Sequence, residues 1–285
     1  MQEDYPSSIK PKSVEDLNGS PTSDAPFSRT IRQERIAEYV LQHSSVRVQE
    51  LATKFNVSVM TIHRDLEDLK RQGVLRKVRG GATAQPSSLF ESDIRYRATI
   101  TPREKAAIAR SASRLVEPGQ AVMLDDSTTS LALAKLLPAF EYLTVITNSL
   151  SVLRELSPHK HVHLVALGGD YLPHYDAFAG ILCEQAITSL RVNLLFTSTS
   201  AVLNLMAYHQ EQGIIQVKRA MINSAERSIL LVDSTKFGRS ALHQLARLQD
   251  FDLVIVDDRL ASPTLQEMRN AGINVELATV ADSGF

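Results

Sequence analysis

The chain has 285 residues, 44% of them hydrophobic and 22% charged, with a formal net charge of −1, so it has the length for two ordinary domains and the apolar content for a sizeable core. The net charge by itself announces no polyanionic partner, and one cysteine, Cys183, excludes an internal disulfide and fits a reducing cytoplasm. No apolar run reaches the length of a membrane span, and the amino terminus lacks the basic-then-apolar order of a secretory signal, so a soluble cytoplasmic protein without a membrane partner is expected.

Residues 1–27 are rich in Pro, Ser and Asp and show no apolar period, which predicts a disordered tail. From Thr30 to His43, Ile31, Ile36, Tyr39 and Val40 recur at helical spacing. A shorter set follows in VQELATKF: Val48, Leu51, Ala52 and Phe55. Asn56 suits a left-handed turn and Ser58 suits a helix N-cap. In VSVMTIHRDLEDL, Ile62, Leu66 and Leu69 form one stripe of a third helix that ends near Gly73. VLRKVRGGA then alternates and turns at Gly80 and Gly81, as a small β-wing would. Residues 28–85 therefore read as a winged helix-turn-helix, with the helix-turn-helix at about 46–65.

Between Arg29 and Gln85 there are eleven Lys/Arg against six Asp/Glu, so a basic module is joined to an acidic one. Met60, Arg64, Glu67 and Arg71 lie opposite the apolar stripe, with Thr61 and His63 beside them. A first turn carrying a hydroxyl, an imidazole and a guanidinium suits a major groove. Arg64 can donate twice to guanine, Thr61 can reach a base edge or phosphate, and His63 can donate to phosphate. Ser58, Arg71, Arg76, Lys77 and Arg79 complete the candidate DNA surface, the basic ones as phosphate contacts. A solvated helix face is the competing reading. The short middle helix, the Asn-Val-Ser turn and the basic wing together favour double-stranded DNA. Glu67 and Asp68 are expected to face solvent or to be paired.

Residues 86–102 read as a linker in which Phe90 and Tyr96 are the packing candidates. Over 103–285, nearly continuous apolar strands such as AVMLDD, VNLLFTSTS and DFDLVIVDD alternate with helical segments. The fold class expected is α/β: an N-terminal winged helix-turn-helix and a C-terminal Rossmann-like, mostly parallel sheet covered on both faces. Four polar clusters end predicted strands: DDSTTS (125–130), TNS (147–149), GGD (168–170) and DSTKFG (233–238). In an open α/β sheet ligands bind outside the carboxyl ends of the strands. Ser127, Thr128, Thr129, Thr147, Asn148 and Ser149 offer hydroxyls and helix-opening N–H groups to an anion. Gly168 and Gly169 permit close backbone approach, and Lys236 can neutralise a phosphate. Taken singly, each cluster reads first as a helix cap, a turn or a surface charge; the four together favour one shared anionic pocket.

VQELATKFNVSVMTIHRDLEDLKRQGVLRKVRGGA resembles the winged helix of the DeoR family of bacterial transcriptional regulators, which has Thr-Ile-Arg-Arg-Asp-Leu in its third helix and an Arg-x-x-Gly-Gly-Ala wing. Thr61, Ile62, Arg64, Asp65, Leu66, Gly80, Gly81 and Ala82 match, and His63 stands in place of an arginine. The resemblance runs to about residue 260. Family effector domains are similar in fold to sugar-phosphate isomerases and carry Asp-x-Gly-Thr-Thr, Thr-Asn, Gly-Gly and Asp-x-x-Lys-Phe-Gly. Asp125, Thr128, Thr129, Thr147, Asn148, Gly168, Gly169, Asp233, Lys236, Phe237 and Gly238 match these. Ser127 replaces the glycine, Asp126 is an additional acid beside it, and Asn193 stands where the family often has Asp. VKRAMI (217–222) also matches. Lys218 and Arg219 in it read first as a solvated helix face and second as the pocket mouth.

The resemblance implies a regulator of carbohydrate genes, most simply a repressor, that binds an operator as a dimer or tetramer and senses a phosphorylated sugar. It implies a cytoplasmic protein, nucleoid-associated when on its operator. No cofactor, catalytic group or metal is expected. The His159, His161, His163 alternation reads as an exposed strand start, and Cys183 as inert core. An isomerase-like enzyme with an attached DNA-binding domain is the alternative, and a second domain that only oligomerises is a third.

Overall fold

The computed structural model describes residues 29–43, 45–71, 75–84 and 94–281. The expected tail and the first part of the expected linker, with Phe90, lie outside them.

The first unit runs α1 (Arg29–His43), β1 (Ser45–Arg47), α2 (Val48–Lys54), α3 (Val59–Arg71), β2 (Leu75–Val78) and β3 (Gly81–Ala84). The apolar stripes meet in one core of Ile36, Val40, Leu51, Phe55, Ile62, Leu66, Leu69 and Leu75. Asn56 takes a left-handed φ of 49°. Ser58 Oγ accepts from the Thr61 N–H at 3.1 Å, so this capping hydroxyl starts α3 as its residue type predicts. The wing is larger than the sequence pattern suggested. β1 adds to it, giving an antiparallel sheet in the order β1-β3-β2. Gly80 turns the chain at φ +78°, and a Cβ on Gly81 would meet the Val46 carbonyl oxygen at 2.2 Å, so only glycine lets β3 lie this close to β1.

The expected linker is corrected in part. Residues Ile94–Thr99 form a helix, α4, with Ile94 and Arg97 buried. Six residues are too few for an apolar period to show in the sequence.

The second unit follows as α5 (Pro102–Ser113), β4 (Ala121–Leu124), α6 (Thr128–Ala134), β5 (Thr144–Thr147), α7 (Leu150–Leu156) and β6 (His163–Ala166). A hairpin, β7 (Asp170–Leu172) and β8 (Ala177–Ala179), leads to α8 (Ile181–Thr188), β9 (Val192–Thr197), β10 (Ala201–Leu203), β11 (Met206–His209) and α9 (Gln212–Ser224). The chain closes with β12 (Ala225–Val232), β13 (His243–Arg247), β14 (Leu253–Asp257), α10 (Ser262–Asn270) and β15 (Val275–Ala278). Seven of these strands form one sheet in the order β15-β14-β12-β9-β4-β5-β6. Every pairing in it is parallel. Alternate side chains enter different cores: Val122 and Leu124 join Ile108 and Leu133, while Met123 joins Cys183, Ile214 and Met221. Both faces of the sheet are thus covered, which is why its strands read as unbroken apolar runs.

The strand order sets the place for a ligand. From β4 the chain proceeds outward through β5 and β6, then returns to pair β9 on the other side of β4. The order reverses between β4 and β9, and the crevice at their carboxyl ends is the favoured binding position of such a sheet.

Candidate functional site

A recess opens at that reversal. The loop after β4 contributes Asp126, Ser127, Thr128 and Thr129, and the loop after β9 contributes Ser198, Thr199 and Ser200. Asp233 and Lys236 come from the turn after β12, His209 from the end of β11, and Lys218 from α9. The corner between α4 and α5 brings Arg97, Ile100 and Lys105.

Behind the recess lies Asp125, completely buried. It accepts from the Ser127 N–H at 3.0 Å, Ser130 Oγ at 2.6 Å, Thr197 Oγ1 at 2.8 Å and the Ser198 N–H at 2.7 Å. Lys218 Nζ also donates to it, and stands 3.2 Å from Asp126 Oδ1. Burial pushes the Asp125 carboxyl up, but the adjacent ammonium and the donors outweigh it and hold the pKa at about 2. Burial alone would lower Lys218, and Asp125 and Asp126 raise it instead. Asp125 and Lys218 are therefore charged together.

The corner supplies the opposite chemistry. Lys105 Nζ donates to the Arg97 carbonyl and, at 2.6 Å, to that of Ile100. Burial and the neighbouring Lys236 drive its pKa down to about 7, against the pull of Asp233. Thr101 holds the corner with φ at 48°, a conformation that β-branched residues rarely adopt. The Arg97 guanidinium lies over the Tyr175 ring at 5.5 Å. Three cations (Arg97, Lys105 and Lys236) and a run of hydroxyls thus border one small space.

On the first unit, α3 presents Met60, 63% exposed, with His63 and Arg64 also exposed. Arg76 and Arg79 are exposed on the wing. Two expected phosphate contacts are otherwise engaged. Arg71 pairs with Asp68, and Lys77 pairs with Glu67 at 3.0 Å. Asp68 also holds Arg29, and Asp65 holds Arg32 at 2.6 Å, so these acids brace α3 against α1. The Thr61 hydroxyl shares a hydrogen bond with Ser58 Oγ at 2.9 Å.

Residues 32–88 match the DeoR-like helix-turn-helix domain and residues 100–258 match the DeoR C-terminal sensor domain. The chain belongs to the DeoR family. It is 34% identical over 255 residues to the uncharacterized HTH-type transcriptional regulator YulB of Bacillus subtilis, covering 89% of this chain and 98% of that protein. The L-fucose operon activator of Haemophilus influenzae is 34% identical, with 80% of this chain and 92% of that one covered. The lactose phosphotransferase system repressor of Staphylococcus epidermidis is 30% identical, with coverage of 80% and 91%. The chain is thus a DNA-binding transcriptional regulator of the DeoR type.

Of the DeoR-like pocket residues expected from sequence, Ser127, Thr128, Thr129 and Lys236 meet at the recess. The others do not line it. Asp125 is the buried anchor behind. Thr147 Oγ1 accepts from the Ser149 N–H at 3.0 Å, Ser149 Oγ caps α7, and Asn148 Nδ2 donates to the Phe178 carbonyl at 2.9 Å. Gly169 packs so closely on Ala179 that a Cβ would lie 2.3 Å from its carbonyl oxygen; Gly168 precedes it in the same turn. Asn193 receives the Ala121 N–H at 3.0 Å at the amino end of β4, away from the recess, so that departure from the family pattern leaves the site untouched.

The solvated-face expectation for Lys218 is overturned: it is 2% exposed and sealed by two carboxylates. The signal was present, since Lys218 falls on the stripe of Ile214, Ile215 and Met221 and so points where those residues point. Arg219 lies against β13, donating to the Gln244 carbonyl at 2.7 Å. Cys183 is buried as expected, and burial pushes its thiol up to about 11. Arg97, Lys105 and the Ser198–Ser200 loop were not singled out in the sequence.

Proposed function

We propose that the C-terminal domain senses a phosphorylated sugar in the recess at the β4/β9 reversal and that this ligand controls operator binding by the winged helix. One observation carries the reading: Arg97, Lys105 and Lys236 converge on a hydroxyl-rich crevice at the ligand position of the sheet. A dianionic phosphate offsets the repulsion among three neighbouring basic side chains, and Ser and Thr hydroxyls suit its oxygens. Relatives named for an L-fucose operon and a lactose phosphotransferase system support a carbohydrate class. Since one of them is an activator and the other a repressor, the direction of control is the finer part of the proposal; repression is the simpler mode. On the DNA side, Arg64 reads a base, Thr61 and His63 assist at the groove, and Ser58, Arg76 and Arg79 meet the backbone. Arg71 and Lys77 contribute after releasing their carboxylates. The regulator acts as a symmetric oligomer in the cytoplasm. It is a sensor and not an isomerase.

The test is a thermal-shift screen of the full chain against pentose and hexose monophosphates, followed by titration of Lys236→Ala. A ligand should raise the transition temperature. The substitution should weaken that ligand about ten- to a hundred-fold, the worth of one charged hydrogen bond, and leave effector-free operator binding intact. Turnover of a sugar phosphate by the purified protein would instead favour an enzyme.

A further inference from the structure

Asp126 is the one acidic side chain in the DDSTTS loop that borders the recess. It is 1% exposed, and its Oδ1 is buried and accepts no hydrogen bond. Its nearest cation, Lys218, already donates to Asp125. A carboxylate offers about four acceptor positions, and one left unmet in a buried place carries a penalty. Asp126 is therefore ion-paired with Lys218 at 3.2 Å but keeps acceptor positions that no hydrogen bond fills.

The chemistry of the donor can be narrowed. A phosphate is excluded, because a carboxylate repels it. A metal ion or an amine is disfavoured, because Lys218 stands 3.2 Å from the same oxygen and would repel a second cation. A neutral hydroxyl fits: it donates one hydrogen bond and brings no charge. We propose that Asp126 accepts a hydrogen bond from a sugar hydroxyl of the effector and so sets which phosphorylated sugars the protein recognises. The inference rests on the sugar-phosphate reading given above. The ligand is then held at two ends, its phosphate by the cations of the α4–α5 corner and Lys236, and a hydroxyl by Asp126. A site built to bond a hydroxyl discriminates sharply against a ligand that lacks it, because the buried acceptor is left bare. Bare phosphate gains nothing from Asp126.

The experiment is titration calorimetry of the full chain and of Asp126→Asn and Asp126→Ala. The probes are inorganic phosphate, a panel of pentose and hexose monophosphates, and their single-deoxy analogues. The wild type should prefer one sugar phosphate to inorganic phosphate and should lose affinity when one particular hydroxyl is removed. Asp126→Ala should bind that sugar phosphate about ten- to a hundred-fold more weakly and inorganic phosphate somewhat more tightly, since a like charge has gone. In the variant the deoxy analogue should bind as well as its parent. Asp126→Asn keeps the side-chain shape, and should show the same loss in smaller measure should the alanine variant not fold. Variants that keep the wild-type preference, including its deoxy penalty, would overturn the assignment of Asp126 alone. A wild type that binds no sugar phosphate more tightly than inorganic phosphate would overturn the sugar-phosphate reading and this inference with it.

Discussion

Lys105 should make effector affinity depend on pH in a window where the ligand itself does not titrate. Its pKa is about 7 because burial and Lys236 disfavour its charge, as Arg97 also does, while Asp233 and Glu104 favour it. An anion in the recess favours the protonated form and should return the group toward the ordinary lysine value of about 10.4. Binding then takes up a proton at any pH between those values. Below pH 7 the ammonium is present before binding. Above pH 7 it must be formed, and affinity falls by nearly tenfold per pH unit. From pH 7 to pH 9 the expected loss is about 50-fold, or ~2.3 kcal/mol. Phosphate monoesters lose their second proton near pH 6, so they stay dianionic throughout. The assay is calorimetric titration of the sugar phosphate giving the largest thermal shift, in buffers of different ionisation enthalpy, so that proton uptake is measured directly. Lys105→Met should bind more weakly at pH 7 and show no slope above it. His209 also borders the recess, and His209→Gln should retain the slope. Affinity constant within twofold from pH 7 to pH 9, or a slope that survives in Lys105→Met, would refute the reasoning.

Lys218→Met should be far more harmful than its single charge suggests. It leaves Asp125 and Asp126 buried without a cation, and breaking such a pair costs about 3–5 kcal/mol, to be read from urea unfolding of the C-terminal domain. Arg64→Ala should cost about 1–3 kcal/mol on the operator and relax preference at one base pair, whereas Arg79→Ala should weaken all sequences alike and flatten the salt dependence by about one unit. Binding measured across single-base operator variants and a salt series separates the two. Gly81→Ala should lower the stability of the winged helix by about 1–3 kcal/mol, the usual penalty of overpacking, because its methyl group meets the Val46 carbonyl; hydrogen exchange in β1 and β3 reports it.

The sequence carries in legible form whatever rests on local pattern. Ile62, Leu66 and Leu69 form a stripe at helical spacing, Asn56 and Ser58 mark the turn before it, and the apolar runs announce a doubly covered parallel sheet. DDSTTS and DSTKFG were recognisable because strand-end loops of small polar residues have a known place in such sheets. Thr147, Asn148, Ser149 and Gly169 satisfy the same local pattern, but Thr147 and Ser149 are engaged in the turn that caps α7, the Asn148 amide N–H donates to the Phe178 carbonyl, and Gly169 packs on Ala179. Lys105 and Arg97 escaped notice because a six-residue helix and a left-handed Thr101 fold a supposed linker back onto the sheet. Arg71 pairs with Asp68 at the i,i+3 spacing of one helix and was legible, whereas Lys77 reaches Glu67 from the wing, a contact no periodicity announces.

The Asp125 carboxylate joins the end of β4, the start of α6, the end of β9 and the middle of α9 through five donors. Any change there is a change to how the sheet is assembled, before it is a change to recognition. Asp126, its neighbour in sequence, bears less of this duty: it ties only to Lys218, which Asp125 also holds. The two adjacent acids divide the loop into a position that architecture forbids to vary and a position at which a new preference can be tried while the sheet stays intact. A sensor built this way can acquire a different ligand one rim residue at a time.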